Sequence, residues 1–347
     1  MKIRIQHQTT YSYSQPVTFG QHRIMVRPRE GHDVHIESSV LNITPAHTIR
    51  WTRDVNGNSL ARVDFLEPAT QLVFSSEIVL EQYNTNPFDF ILEDTAVHYP
   101  FVYEPESLTE LAPVMAILYP RDTPALKEWL AQFWKPGEQV DTFALLQRVN
   151  RHIYENFKYQ RRDESGVQTP AETLTKRSGS CRDFATLLLE ACRTWGLAAR
   201  FASGYMQCES TEAGGASTHA WTEVYLPGAG WKGFDPTGGL MTGAQHVTVA
   251  VSRNPESAAP ISGSFSGPRG CSLGITVDVR VTRIDPAPAP AKLPLPVANF
   301  PAPNSTTQTQ SVQQAQQLAQ AELITAPVME MVIKPTTGPL PQARNKI

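Results

Sequence analysis

The spacing of apolar residues changes along this chain of 347 residues, and these changes constrain its fold more than any other sequence feature. Residues 1 to about 100 alternate between apolar and polar side chains, as in Lys2–His7, which is typical of half-buried strands. Short alternating segments at this spacing predict a β-sandwich. Apolar residues then follow helical spacing over 101 to about 178, and alternation returns between 241 and 285.

Local signals support this division of the chain. Asn56 and Gly57 lie between two alternating segments, 49–52 and 60–65, and predict a β-hairpin with a type I′ turn. Helical spacing and an early proline predict helices over three segments: 126–133, 146–157 and Pro170–Lys176.

The composition excludes several classes of protein. Lys and Arg number 30 against 33 Asp and Glu, a net charge of −3, which argues against a dedicated nucleic-acid-binding protein. Four cysteines are too few for a disulfide-stabilised scaffold. The first residues lack the apolar run of a signal peptide, and no stretch approaches the ~20 apolar residues of a membrane span. We therefore expect a cytoplasmic protein that does not associate with a membrane.

The last segment, residues 286–347, has a different character. It holds 11 of the 28 prolines and a glutamine-rich run. Such a composition buries too little apolar area to offset the entropy of ordering, so we predict a disordered tail. The predicted organisation is a β-sandwich over 1–100, a mixed helical and β core over 101–285 and this tail.

Residues 180–196 predict a helix with a cysteine at its N-terminus. Ser180 and Asp183 have the spacing of a capping box, so Asp183 is interpreted as a helix cap, and Gly196 is suited to end the helix. Cys181 is then the first helical residue. Unpaired N–H groups and the helix dipole favour a thiolate there and could receive an oxyanion.

The remaining cysteines carry no such signal. Cys192 lies in the apolar stripe of the same helix and is expected to be a small buried residue. We assign no role to Cys208 or Cys271. A zinc site built from Cys181, Cys208 and His219 is disfavoured, because their spacing matches no metal-binding motif. No phosphate-binding loop is present, and we predict no metal and no cofactor.

A predicted hairpin brings a histidine and an aspartate to the same end of two strands. Residues 218–226 and 231–235 have strand character and are separated by a Pro-Gly turn. His219 begins the first strand, and Asp235 ends the second. This placement suits a Cys-His-Asp system, in which the base reaches the thiol and the carboxylate orients the imidazole.

The side-chain alternation of the hairpin raises one difficulty. If Leu226 paired with Trp231, Asp235 would fall on the opposite face of the sheet from His219. A tighter turn or a β-bulge would bring both side chains to one face. We therefore predict such an irregularity between residues 226 and 234.

Two further residues with chemically functional side chains lie near these segments. Glu223 is interpreted as a solvated strand residue rather than a catalytic acid. Tyr159 precedes the cysteine helix and is interpreted either as a packing residue or as a second hydrogen-bond donor to an oxyanion.

Four segments, in their order along this sequence, resemble the bacterial transglutaminase-like superfamily. The blocks that carry the resemblance are Gly179–Ala185, Ala202–Tyr205, Thr218–Val224 and Gly230–Thr237. Residues 11–13, 22–23 and 27–29 resemble the β-sandwich domain that commonly precedes this core, so the resemblance covers about residues 1–285. It implies an α+β fold, in which a papain-like core with an antiparallel sheet uses Cys181 as nucleophile, His219 as base and Asp235 as orienting carboxylate.

The sequence also departs from the pattern of the superfamily. Ser252–Pro255 stands where a Gly-Arg-Asp-Tyr segment is common, which changes the local surface and leaves the three candidate catalytic residues intact. The calcium-binding acids of animal transglutaminases have no counterpart here, so the resemblance implies no calcium.

The resemblance implies amide-bond chemistry through a thioester. A peptidase or amidase that acts on a peptide or protein is expected in preference to a cross-linking acyltransferase, although both reactions use the same three residues. A non-catalytic protein-binding module is the alternative from a different class. The oligomeric state is left open.

Overall fold

A computed structural model describes residues 1–83, 86–162, 164, 166–207 and 217–284. The predicted tail therefore lies outside the described residues. Within these residues the fold is mixed: a β-rich N-terminal region precedes helices and a separate antiparallel sheet, as the sequence predicted. None of the helices in the described part is long and apolar enough to cross a membrane.

Two sheets built mainly from the N-terminal strands face each other and form the predicted sandwich. These strands are β1 Lys2–Phe19, β2 His22–Ile24, β3 Val34–Thr44, β4 His47–Arg53, β5 Ser59–Phe65 and β6 Ala69–Gln82. One sheet contains β1, β6 and β3, and the other contains β2, β5 and β4. Their alternating apolar residues meet in a common core, in which Val17, Val63 and Phe74 are almost fully buried.

The predicted hairpin at Asn56–Gly57 is present, but its turn differs from the prediction. β4 and β5 pair from His47 opposite Phe65 to Arg53 opposite Ser59, which leaves residues 54–58 as the loop. Gly57 has a φ of 74°. Asn56 does not have a positive φ, because Arg177 is the one non-glycine with a positive φ among the described residues. A type I′ turn needs positive φ at both central positions, so that assignment was wrong.

The segment after the sandwich contains the helices. Its elements are a 3-10 turn Asp94–Ala96, β7 His98–Tyr99, α1 Pro105–Met115, α2 Thr123–Leu130, β8 Val140–Asp141, α3 Thr142–Asn156, β9 Lys158–Tyr159, α4 Pro170–Lys176, β10 Ser178–Gly179 and α5 Cys181–Thr194. The three segments predicted from spacing correspond to α2, α3 and α4. The sequence analysis did not predict the helix α1, which has a proline inside it, a residue that is unfavourable in a helix interior.

A five-stranded sheet, separate from the two sheets of the sandwich, follows α5 and carries the remaining blocks of the sequence. Its elements and those after it are β11 Ala199–Met206, β12 Ser217–Leu226, β13 Gly230–Asp235, β14 Leu240–Met241, β15 His246–Ser252, a 3-10 turn Pro255–Ala258, β16 Ile261–Ser262, β17 Phe265–Ser266 and β18 Ser272–Ile284. The strands are ordered β14-β13-β12-β11-β15, all antiparallel. The helix α5 packs on this sheet, where the hydroxyl of Thr222 donates to the carbonyl of Ala185 at 2.7 Å.

The last strand returns to the first sheet. β18 pairs with β1 from Lys2 opposite Ile284 to Tyr13 opposite Ser272. In the sequence, the alternating residues of this strand come after the core, and the sequence analysis therefore includes them in the core segment 101–285. Its partner is instead the N-terminal strand, so the sandwich is closed by residues from both ends of the described chain.

Gly204 marks a close approach between neighbouring strands. The pairing of β11 with β15 is irregular between Ser203 and Gly204. A Cβ atom at Gly204 would lie 2.1 Å from the carbonyl oxygen of Val247 and 2.7 Å from the ring of Trp221. The absence of a side chain here lets Trp221 pack against the strand.

We expect Gly204→Ala to destabilise the protein by about 2–3 kcal/mol, because the added methyl group must displace backbone rather than a flexible side chain. Urea unfolding measures the effect, and Ser203→Ala on the same strand is the control. Equal unfolding midpoints for wild type and Gly204→Ala would contradict the close approach.

Candidate functional site

The cysteine helix begins where the sequence predicted. Cys181 is the first residue of α5 and is partly exposed, whereas most of the helix body is buried. The carboxylate of Asp183 accepts from the backbone N–H of Ser180 at 2.8 Å and from its hydroxyl at 2.9 Å. These bonds confirm the capping role of Asp183 and fix the turn that presents Cys181 at the positive end of the helix.

Asp183 also ties the cysteine turn to the preceding loop. Its carboxylate accepts from the guanidinium of Arg162 at 2.7 Å, from the backbone N–H of Gln168 at 2.7 Å and from the side chain of Gln168 at 3.2 Å. Burial alone would raise the pKa of Asp183, but these donors and Ser180 hold it below its usual value. The carboxylate therefore stays ionised and anchors both segments.

The hairpin that carries His219 and Asp235 has a tight turn. Leu226 pairs with Gly230, and the register continues without a shift to Thr222 opposite Phe234. The N–H of Ala229 donates to the carbonyl of Leu226, with Gly228 at a φ of 81°, which is the geometry of a type II turn. Of the two irregularities considered, the structure shows the tighter turn and no bulge in this stretch.

This register solves the problem of alternation. Extending it by one residue places Asp235 opposite Trp221, and therefore on the same face as His219. Both residues also lie at the same end of the sheet, since β12 starts and β13 stops there.

The two side chains form a buried hydrogen bond. His219 Nε2 lies 2.8 Å from Asp235 Oδ2, and the other oxygen, Oδ1, accepts from the backbone N–H of Thr237 at 2.9 Å. Both side chains are almost inaccessible to solvent. Because Nε2 is engaged by the carboxylate, Nδ1 is the ring nitrogen left for Cys181, whose side chain lies near enough to His219 to help raise the pKa of the imidazole.

The surroundings stabilise opposite charges on the pair. Burial lowers the pKa of His219, but its hydrogen bonds to Asp235 and Cys181 outweigh burial and raise that pKa to about 10. Burial would raise the pKa of Asp235, but hydrogen bonds from His219 and His246 hold it well below its usual range. The site thus favours an imidazolium beside a carboxylate.

A second histidine, which the sequence analysis missed, contacts the same carboxylate. His246 begins β15, and its Nε2 lies 3.3 Å from Asp235 Oδ2. The available signal was position: like His219, it opens a strand of a predicted sheet. Without knowledge of strand order, nothing in the sequence connects it to Asp235.

Within the described residues, His219, Asp235 and His246 form one group whose donor atoms lie within 4.8 Å of one another, close enough to surround a metal ion. The facing atoms are already hydrogen-bonded to each other. We therefore interpret the group as an imidazole–carboxylate–imidazole chain. The expectation of no metal and no cofactor stays a prediction.

The structure also gives the surroundings of Glu223, Tyr159 and Cys192. Glu223 is buried, which contradicts the expectation of a solvated residue: it is 8% exposed and pairs with Arg200 at 2.7 Å. Tyr159 is 51% exposed and lies opposite Gly179, two residues before the candidate nucleophile. Cys192 is buried as predicted, and burial raises its pKa to about 12.

Two cysteines have no assigned role. Cys271 is buried in the sandwich, among the apolar residues shared by its two sheets. Cys208 lies outside the described residues.

Comparison with known proteins agrees with this architecture. Residues 3–81 match the model of the bacterial transglutaminase-like N-terminal region, and residues 133–236 match that of the transglutaminase-like superfamily. An uncharacterised protein of Mycobacterium tuberculosis is 26% identical over 296 residues, covering 80% of this chain and 92% of that protein. An uncharacterised Bacillus subtilis protein is 34% identical over 105 residues, covering 27% of this chain and 14% of that protein.

A solved structure shares the fold. A proposed cysteine protease from Cytophaga hutchinsonii has a TM-score of 0.62 and 21% identity, and the match covers 83% of this chain and 93% of that one.

The charge on His219 predicts a pH dependence of stability. A histidine whose pKa is raised by folding stabilises the protein fully below its unfolded pKa of ~6.5 and loses that effect as pH rises towards its folded pKa. In the wild type, formation of a Cys181 thiolate would release the proton that His219 takes up, so the net uptake of protons on folding would cancel. The test is therefore made in Cys181→Ala, where Asp235 still raises the pKa of His219.

Adding His219→Gln to Cys181→Ala should cost most stability near pH 6, and the cost should shrink by up to ~1.4 kcal/mol per pH unit towards pH 9. Urea unfolding at several pH values measures this difference. A cost that stays constant from pH 6 to 9 would contradict the charged pair.

Proposed function

Because this chain belongs to the bacterial transglutaminase-like superfamily, we propose that it is a thiol-dependent enzyme that cleaves amide bonds through a thioester. The observation that carries the proposal is the buried hydrogen bond of 2.8 Å between His219 and Asp235, with Cys181 near enough to help raise the pKa of the same imidazole. A thiol, a base and an orienting carboxylate in this order are the components of nucleophilic catalysis by cysteine.

The first half of the proposed reaction forms the acyl-enzyme. The Cys181 thiolate attacks the carbonyl carbon of the amide, and the carbonyl oxygen becomes an oxyanion. Backbone N–H groups at the start of α5, including that of Cys181, stabilise the oxyanion. The His219 imidazolium then gives its proton to the departing amine as the C–N bond breaks, which leaves a thioester and a neutral imidazole.

The second half regenerates the enzyme. Neutral His219 removes a proton from water, the resulting hydroxide attacks the thioester, and the C–S bond breaks to release a carboxylic acid. The thiolate and the imidazolium are restored. If a primary amine replaces water, the same steps give a new amide, and the protein acts as an acyltransferase.

Hydrolysis is proposed as the main reaction. The structural relative from Cytophaga hutchinsonii, a proposed cysteine protease, favours a peptidase or amidase over a cross-linking enzyme. The alternatives are protein-glutamine acyl transfer and a non-catalytic protein-binding role. Tyr159 is proposed as a second oxyanion donor, since β9 pairs with the residues just before Cys181. A peptide or protein substrate, a cytoplasmic location and the absence of nucleic-acid and membrane partners stay predictions.

The enzyme hypothesis predicts a selectively reactive thiol. Iodoacetamide at pH 6 should alkylate Cys181 at least tenfold faster than Cys208, because the imidazolium of His219 stabilises the thiolate. Peptide mass spectrometry after timed quenching measures both rates in one sample. His219→Gln should bring the rate of Cys181 down to that of Cys208. Equal rates in the wild type would support a binding module instead.

The two chemical outcomes can be separated directly. The protein is incubated with a peptide library and a primary amine in H₂¹⁸O, and the products are identified by mass. Hydrolysis places ¹⁸O in new carboxyl groups, whereas acyl transfer adds the mass of the amine. We expect mainly ¹⁸O incorporation, absent in Cys181→Ala. Amine adducts without ¹⁸O would reassign the protein as an acyltransferase.

A further inference from the structure

His246 occupies a defined position beside the candidate catalytic carboxylate. It is 9% exposed, and its ring packs edge-on against Trp221 with centroids 5.3 Å apart. Its Nε2 faces Asp235 Oδ2 at 3.3 Å, and its Nδ1 accepts a hydrogen bond from the backbone N–H of Gly243 at 3.4 Å. Both ring nitrogens therefore have partners.

These partners determine which nitrogen carries the proton. Nδ1 can accept from Gly243 only without a proton of its own. The proton of the neutral ring is then on Nε2, where it points at Asp235. His246 is thus a donor to the carboxylate, like His219, and does not compete with His219 for a proton.

The donor from His246 limits the movement of the carboxylate. Asp235 Oδ1 is held by the N–H of Thr237, and Oδ2 receives both imidazole groups. A carboxylate held at both oxygens cannot rotate about its Cβ–Cγ bond without breaking hydrogen bonds in a buried site. The shorter bond is the one to His219, so the second donor orients Oδ2 without replacing the first.

His246 is in turn held by the sandwich. The side-chain amide of Gln82, the last residue of β6, donates to the backbone carbonyl of His246 at 2.9 Å. Gln82 is 5% exposed, and its buried Oε1 has no hydrogen-bond partner among the described residues. The hydrogen bond to His246 orients the side-chain amide of Gln82, even though Oε1 has no partner of this kind. This hydrogen bond links the N-terminal sheet to the start of β15.

We propose that His246 is a positioning residue, which holds Asp235 in the orientation that keeps His219 directed at Cys181, and that Gln82 braces His246 from the sandwich. This inference rests on the proposed function. It also gives the N-terminal sandwich a specific role, because the sandwich then supports the candidate catalytic carboxylate through one buried contact.

Two substitutions at His246 form a matched pair. In His246→Gln the amide nitrogen reaches the position of Nε2 and can still donate to Asp235. In His246→Asn the shorter amide reaches only the position of Nδ1 and loses Asp235. His22→Asn, which replaces an equally buried histidine in the sandwich, is the control for the loss of an imidazole.

The readout is the rate of Cys181 alkylation by iodoacetamide at pH 7, with urea unfolding measured in parallel. We expect His246→Asn to react about tenfold more slowly than wild type, because a charge-assisted hydrogen bond is lost. His246→Gln should stay within about threefold and His22→Asn within about twofold of wild type. A wild-type rate in His246→Asn, or equal losses in the Asn and Gln variants, would overturn the positioning role.

A second variant tests the proposal if His246→Asn does not fold. Gln82→Met removes the brace and the unpaired oxygen, and it leaves every residue around Asp235 unchanged. We expect alkylation about threefold slower, because His246 loses its backbone contact. An unchanged rate with intact folding would overturn the brace.

Failure of the proposed function has its own signature. If wild-type Cys181 reacts no faster than Cys208, or if His219→Gln leaves its rate unchanged, the thiol enzyme is excluded without any variant of His246. The positioning role alone fails when those two results are as expected and His246→Asn still reacts like wild type.

Discussion

A carboxylate buried at the end of a β-sheet is the constraint on which the rest of this site depends. Taking Asp235 out of water is costly unless its oxygens find donors, and the fold supplies three: two imidazoles and one backbone N–H. The donors come from β12, from β15 and from the turn after β13. The strand order and the tight hairpin turn bring these groups to one sheet end, and the absence of a side chain at Gly204 leaves room for the ring of Trp221.

A second buried carboxylate organises the other half of the site. Asp183 holds the turn before α5 and the loop around Gln168, so Cys181 is presented by a fixed helix start. The two halves are joined by the packing of α5 on the sheet, where Thr222 contacts the helix backbone. Each reactive group is therefore carried by a regular element whose orientation is set by buried polar contacts, as precise chemistry requires.

The sandwich is more than a separate module placed before the core. Its first sheet is completed by β18, which follows the core in sequence, and its strand β6 ends at the contact between Gln82 and His246. In the proposed mechanism, hydrolysis and acyl transfer would use the same three candidate residues. The two reactions would differ in the nucleophile that reaches the thioester.

The local pattern of the sequence alone predicted many of the helices and strands of this protein and the positions of its candidate site residues on them. The periodicities predicted the sandwich strands and three helices, the capping spacing placed Cys181 at a helix start, and the hairpin put His219 and Asp235 at one strand end. Only the tertiary structure decided contacts between residues far apart in the chain: His246 with Asp235, β18 with β1, and Gln82 with His246. The reason is physical, because periodicity and capping depend on neighbours within a few residues, whereas strand order and burial depend on the whole fold. The ion pair of Glu223 with the partly buried Arg200 shows the same limit, because the sequence indicated the strand of Glu223 but not the arginine beside it.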